Sequence, residues 1–331
     1  MSVEPLSLAL LALLLGAIAL DLLIGDPRWL PHPVVAMGRL IEVLERRWNH
    51  GSPRARRCKG FLLTGCVVAL VYALAWSGLT LLAWLHPWLG RIGELLLLAS
   101  ALAIKGLRDA AFVVADPLVK GDLTGARRAV AMIVGRDTDT LDEAGVTRAT
   151  VETVAENTVD GITAPLFWAL LGGAPLALAY KAVNTLDSMV GHRSERYADF
   201  GYASARLDDL ANWVPARLTA LSMWLAALAL PGARWQGVRR QRALAGTWRE
   251  APGHPSPNAG WPEAMMAYLL GVQLGGTNTY GGRVSERVRL GEPHEPLRVV
   301  HIERAVRHMH GAWAVFFLLM AAVAGVRSAW A

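Results

Sequence analysis

Long apolar runs alternate with polar stretches along this chain. Residues 5–24, 61–85, 92–114, 163–183, 210–230 and 312–330 are predominantly apolar, and each approaches the roughly 20 residues a helix needs to cross a bilayer core. The first run carries one ionisable group, Asp21, and no basic leader, so a cleaved signal is not expected. The third is interrupted by Lys105, Arg108 and Asp109. The fourth has Gly172, Gly173 and Pro175 at its middle, where a spanning helix is weakest, and a broken or re-entrant helix is expected there. The pattern predicts four to six crossings: an all-α, polytopic integral membrane helical bundle with cytoplasmic helical loops, in one domain over 1–331.

Between the runs, residues 116–160 show apolar positions at three- and four-residue spacing broken at Gly135, which predicts helix, loop, helix. Thr138, Thr140 and Asp142 are candidate N-caps for the second helix. Residues 252–283 are rich in Pro and Gly with interspersed Asn, Thr and Glu, the style of a structured binding loop. Within it, GGTNTYGG offers successive backbone N–H groups as a nest for an anion. HIERAVRHMH reads as a surface helix leading into the last run.

Composition supports a membrane assignment: 331 residues, 53% hydrophobic, 18% charged, with sizeable polar loops. The net charge of +6 is mainly a topology signal. Arg28, Arg39, Arg46, Arg47, Arg54, Arg56, Arg57 and Lys59 lie between the first two runs and only Arg91 follows the second. The positive-inside rule then places 25–60, 115–160 and 234–249 in the cytoplasm and the N-terminus outside. No aromatic-interleaved basic motif argues for nucleic acid, and anionic lipid is the better partner for the charge. The two cysteines, Cys58 and Cys66, suggest neither a disulfide framework nor a thiolate metal site and read as packing residues. Trp29, Trp84, Trp88, Trp213 and Trp330 fall near run ends, as interfacial belts do.

The chemistry concentrates between Val151 and Trp213. Glu152, Glu156 and Asp160 at i, i+4 and i+8 share one face if the helix continues past Thr158. No basic partners follow at i+4, so a divalent metal or a cationic ligand competes with a solvated acidic face. After the fourth run come Lys181, Asn184, Asp187, Arg193, Glu195, Arg196, Asp199, Arg206, Asp208 and Asp209, a set suited to an anion and a metal together. No GxxxxGK[ST] and no strand-linked GxGxxG is present, so neither a P-loop nor a Rossmann site is supported. No internal repeat favours a transporter built around the broken helix.

Four stretches resemble the CobD/CbiB family of cobalamin biosynthesis. They are LDLLIGDPRWLPHPVVAMGRLI (20–41), AVAMIVGRDTDTLDEAGVTRATVETVAENTVDGITAPLFWALLGGAPLALAYKAVNTLDSMVG (129–191), ERYADFGYASARLDDLANWVPARLTAL (195–221) and SPNAGWPEAMMAYLLGVQLGGTNTYGG (256–282). His192, where the family pattern suggests an aromatic residue, and Ser194, where it suggests Asn, are minor departures. The resemblance implies an inner-membrane adenosylcobinamide-phosphate synthase, a ligase that amidates the propionate f side chain of adenosylcobyric acid with aminopropanol phosphate or aminopropanol. ATP and Mg²⁺ are its implied cofactors and a corrinoid its substrate. Its further implied partners are the lipid bilayer, other late cobalamin-pathway membrane enzymes and additional copies of the chain. Such chemistry needs a carboxylate made electrophilic, as an acyl phosphate, and a neutral amine to attack it.

On this reading Glu156, Asp160, Lys181 and Asp209 are the candidate catalytic residues. Mg²⁺ ligands are sought among Glu152, Glu156, Asp160, Asp208 and Asp209. Lys181, Arg193, Arg196 and Arg206 would take phosphate, with Asn157 and Asn184 orienting substrate. Asn258, Glu263, Thr277, Asn278 and Tyr280 would contact phosphate or the corrin rim, and Asp26, Arg28, His32 and Arg39 would close the site. For these groups to meet, the 184–209 loop is expected to fold back into a cytoplasm-facing cavity. An AmpE-like membrane sensor without ligase activity is the alternative.

Overall fold

The computed structural model describes residues 4–27, 32–192, 194–229 and 236–330. In chain order the helices are α1 Leu8–Leu23, α2 Pro33–Trp48, α3 Pro53–Leu85, α4 Pro87–Ala101, α5 Ile104–Val119, α6 Leu123–Ala131 and α7 Glu143–Thr158. A π-helical turn, Val159–Thr163, leads into α8 Ala164–Val190, followed by α9 Tyr202–Ala211, α10 Trp213–Ala229, α11 Gln236–Glu250 and α12 Gly260–Leu270. Strands β1 Leu274–Tyr280 and β2 Arg283–Leu290 pair antiparallel before α13 Val300–Trp330.

Among the described residues, three segments are long and apolar enough to cross a membrane: Pro53–Leu85, Glu143–Val190 and Val300–Arg327. The 92–114 run is not one helix, because the chain turns at Leu102 and Ala103, where the Ala103 N–H bonds the Gly161 carbonyl at 2.9 Å. Its charges lie on α5 as a local group, Lys105 and Arg108 both holding Asp109, at 2.9 and 2.7 Å. The 210–230 run is divided at Asn212, and 5–24 yields a 16-residue helix.

Short polar signals set the helix ends. Ser7 and Ser52 cap α1 and α3, and Pro stands in the first turn of α2, α3 and α4, where its missing N–H leaves nothing unsatisfied. Of the three N-cap candidates before α7, Asp142 acts, accepting from the Gly145 N–H at 2.7 Å.

The chain forms two compact units. The first comprises Met1–Ala103, Asp160–Asn212 and Leu319–Ala331. There α3 packs on α2, α4, α8 and α9, and α1 packs on α4 and α8. The Phe200 carbonyl lies against Gly60 where a Cβ would stand, and the Thr64 and Ser204 hydroxyls meet at 2.9 Å. The other face of α3 presents Phe61, Leu70, Leu74, Trp76, Leu81 and Trp84, all exposed. Exposed apolar side chains in this number are more stable against lipid than against water. Cys66 lies on α3 and is exposed, as is Cys58, so neither is the buried packing residue expected.

Within α8 the helix is broken at the expected place: Gly172 and Gly173 leave helical geometry, Gly173 with φ +65°. The chain then reverses after Val190, and α9 packs back along α8. The Trp168 indole donates to the Ala211 carbonyl at 3.2 Å and the Tyr180 hydroxyl to Asn212 Oδ1 at 2.9 Å.

The second unit comprises Ile104–Val159 and Trp213–Leu318. Its core helix is α12, on which Ala264, Met265, Met266 and Ala267 are fully buried by α7, α10, α11 and the hairpin. That hairpin is the departure from an all-α fold. GGTNTYGG is strand plus turn, with a bulge at Gly275, whose positive φ (+78°) and contact with the Val288 carbonyl only glycine accommodates. HIERAVRHMH opens α13 as an amphipathic helix: Glu303 and Arg307 are exposed, whereas His301 is fully buried, its Nδ1 against the Arg298 backbone and its Nε2 3.5 Å from Glu295.

Candidate functional site

The polar residues singled out in the sequence separate into two clusters, one in each unit. In the first unit, α8 and α9 build the denser one. Lys181 Nζ donates to the Asp160 carbonyl at 3.4 Å and lies within the field of Asp160, Asp26 and Asp208. Asp208 Oδ2 accepts from Asn212 Nδ2 at 3.1 Å, and Asn184 bonds the same carboxylate. Burial first, then the charges of Asp160 and Asp187, push the Asp208 carboxyl well above the ordinary carboxylate range. One lysine, four carboxylates, two amides and the Tyr180 phenol therefore converge.

Three members of this cluster were not among the candidate site residues. Asp187 was visible as a charge in the polar run. Asn212 follows Asp208 by one helical turn, which is its only signal. Tyr180 sits inside an apolar run, where an aromatic residue reads as packing.

Other candidates lie at the margins of this unit. Arg206 contacts Asp209 at 3.4 Å. His32 caps α2 through Nδ1 and faces Asp26 through Nε2 at 3.2 Å, while Arg39 is exposed on α2. Arg196, expected on phosphate, directs its fork to Glu45, with both bonds at 3.0 Å. Arg28 and Arg193 lie outside the described residues.

In the second unit, Glu152 is a structural acid. Its Oε2 accepts from Arg136 at 2.6 Å and its Oε1 from the Gly275 N–H at 2.8 Å. Both oxygens being taken, it is a poor metal ligand. Arg136 also reaches Asn278 Oδ1 at 2.8 Å, where Arg148 joins at 3.1 Å. Glu156 is exposed near the end of α7, and Asn157 folds back onto the Thr153 carbonyl. Because α7 ends at Thr158 and a π-turn follows, Asp160 leaves the face that Glu152 and Glu156 define. Among the described residues, no three His, Cys, Asp or Glu side chains form a group able to hold a metal.

Glu263 is buried 3.8 Å from His254 Nε2. Burial, then Glu152 and Glu156, raise its affinity for a proton, whereas burial lowers that of His254. Asn258 is buried beside Arg217 at 3.4 Å, Thr277 donates to Glu286 at 2.6 Å, and the Tyr280 hydroxyl accepts from Arg287 at 2.6 Å. The glycine N–H groups expected to cradle an anion are filled from within: Asp137 accepts from Gly281 at 3.0 Å and Gly282 at 2.8 Å.

The family model described as CobD/Cbib protein matches residues 14–309. The chain belongs to the CobD/CbiB family. It is 51% identical over 312 residues to cobalamin biosynthesis protein CobD of Halalkalibacterium halodurans, covering 94% of this chain and 96% of that relative. With the CobD protein of Geobacter metallireducens it shares 50% identity over 310 residues, 94% and 95% of the two chains. With cobalamin biosynthesis protein CbiB of Salmonella typhimurium it shares 44% over 310 residues, 93% and 94%. Full-length matches to CobD/CbiB proteins leave the AmpE-like reading without support. No solved structure matches.

Proposed function

We propose that this chain is an adenosylcobinamide-phosphate synthase of cobalamin biosynthesis. It joins aminopropanol phosphate or aminopropanol by an amide bond to the propionate f carboxylate of adenosylcobyric acid, in an ATP-dependent ligase reaction. The observation that carries the reading is the Asp160, Lys181 and Asp208 cluster, built by the π-turn, α8 and α9, in a chain similar over 94% of its length to a cobalamin biosynthesis protein.

The roles follow from the chemistry. Asp208 holds protons more firmly than an ordinary carboxylate, which suits it to accept one from the attacking amine. The Lys181 ammonium supplies positive charge for a phosphoryl oxygen or a developing oxyanion. Asn184 and Asn212 fix the carboxylate of Asp208. Mg²⁺ neutralises phosphate charge when bound and needs only one or two carboxylates beside the substrate phosphates. The hard oxygens of Asp160 fit that requirement, and those of Glu152, both already taken, do not.

The protein acts in the inner membrane with its N-terminus outside, and α9 folds back so that its acids face the cytoplasm. Cysteine labelling at exposed Ser194, in a chain without Cys58 and Cys66, tests this, and labelling only from outside would refute it. The activity is tested by rescue of cobalamin synthesis from cobyric acid in a deficient host, with direct detection of the cobinamide product. A well-folded Lys181→Ala protein with full activity would defeat the assignment.

A further inference from the structure

Asp208 stands one helical turn from each of two anchors of α9. At i+4, Asn212 Nδ2 donates to its carboxylate at 3.1 Å and Asn212 Oδ1 accepts from the Tyr180 hydroxyl at 2.9 Å, so the end of α9 is tied to α8. At i−4, Ser204 is fully buried, and its hydroxyl meets that of Thr64 on α3 at 2.9 Å. Side chains four residues apart share a helical face, so Ser204, Asp208 and Asn212 form one row along α9. From that row the Asp208 carboxylate meets Asn184 and lies within the field of Lys181.

The direction of the Ser204 bond follows from its neighbour. Thr64 Oγ1 already gives its one proton to the Gly60 carbonyl at 2.9 Å. Ser204 is therefore the donor and Thr64 the acceptor. Thr64 is only 4% exposed, so water does not replace the bond if it is lost. The backbone is fitted at the same place: a Cβ on Gly60 would meet the Phe200 carbonyl, and one on Gly201 the Val190 carbonyl. The turn into α9 is thus closed against α3 on one side and α8 on the other. That contact sets where α9 begins. Its rotation about its own axis is set by the Ser204 bond, because a hydrogen bond is directional and apolar contact is not.

We propose that the Thr64 and Ser204 hydroxyls are positioning groups for Asp208, holding α9 in the rotation that directs its carboxylate toward Lys181 and Asn184. Neither hydroxyl touches substrate. The effect on rate rests on the reading of Asp208 as proton acceptor, whereas the placement of Asp208 does not. With the bond gone the row is free to turn about the α9 axis, and a displacement of about 1 Å at a reacting group costs about 10²-fold in rate.

Kinetics and a thiol probe on the full chain read the two halves separately. Thr64→Val, which keeps the shape, and Ser204→Ala are each expected to lower kcat for amide formation by about 10- to 100-fold with KM little changed. Thr64→Ser keeps the acceptor and should retain the rate. The double variant Thr64→Val with Ser204→Ala should be no slower than either single one, as expected of two groups acting through one bond. A lowered unfolding midpoint with unchanged kcat in both single variants would make the pair a structural contact and overturn the proposal. The placement is read without catalysis by Asp208→Cys in a chain without Cys58 and Cys66. Adding Ser204→Ala, or Thr64→Val if that variant does not fold, should change the alkylation rate of the introduced thiol severalfold. An unchanged rate would overturn the proposal. If Asp208→Asn proved fully active, the reading of Asp208 as proton acceptor would fail, and the alkylation result would still decide the placement.

Discussion

Arg136 and Glu152 form a buried ion pair at 2.6 Å, with side chains 7% and 4% exposed. The pair joins the loop before α7 to α7 itself, and through Gly275 and Asn278 it reaches β1. Removing one partner strands a charge away from water. Arg136→Ala should therefore destabilise the second unit by about 3–5 kcal/mol, whereas replacing both residues with methionine should cost much less. Thermal and denaturant unfolding in detergent would measure both, and a double variant as unstable as the single one would contradict the account.

That pair also shows what the sequence could and could not disclose. The apolar runs, the break at Gly172 and Gly173 and the cap at Asp142 are local, and each was legible from composition and spacing. Glu152 was legible as a member of an acidic face, but its partners are 16 and 123 residues away, and no local pattern encodes them. Asp137 filling the glycine N–H groups was hidden for the same reason. The Asp160, Lys181 and Asp208 group was foreseen because each is a charge beside an apolar segment. Tyr180 and Asn212 became visible only once α9 was seen to fold back on α8.

The break in α8 should be intolerant of a side chain. Gly173→Ala combines a positive φ, which costs about 1–2 kcal/mol for an L-residue, with a collision against Glu94. A second substitution, Glu94→Ala, removes the collision but not the backbone strain. Unfolding should thus show Gly173→Ala clearly destabilised and only partly rescued in the double variant. Full rescue would mean that the positive φ contributes nothing.

Glu263 and His254 should shape stability against pH in opposite directions. Burial, then Glu152 and Glu156, raise Glu263 above its usual 4.5, so the folded chain retains a proton that the unfolded chain releases. Stability therefore falls as pH rises from 4.5 through the folded value. Burial lowers His254 from its usual 6.5, so the unfolded chain protonates first, and stability falls as pH drops from 6.5 through the folded value. Glu263→Gln should flatten the alkaline limb of a thermal-midpoint profile and leave the acid limb, and His254→Gln should do the reverse. Identical profiles for the two variants would refute the assignment.

Within the first unit, Asp208 and Tyr180 meet the same amide but should fail differently. Asp208→Asn keeps the shape and loses the proton acceptor, so kcat should fall by about 10²–10⁴-fold with KM little changed. Tyr180→Phe removes only the hydroxyl from Asn212 Oδ1, where both side chains are buried. An acceptor left without its donor there costs about 1–3 kcal/mol, a loss of stability more than of rate. Steady-state kinetics beside unfolding midpoints separate the two effects. If Asp208→Asn lost stability but kept its rate, the carboxylate would be a structural group like Glu152, and the proton acceptor would have to be sought at Asp160 or Asp187.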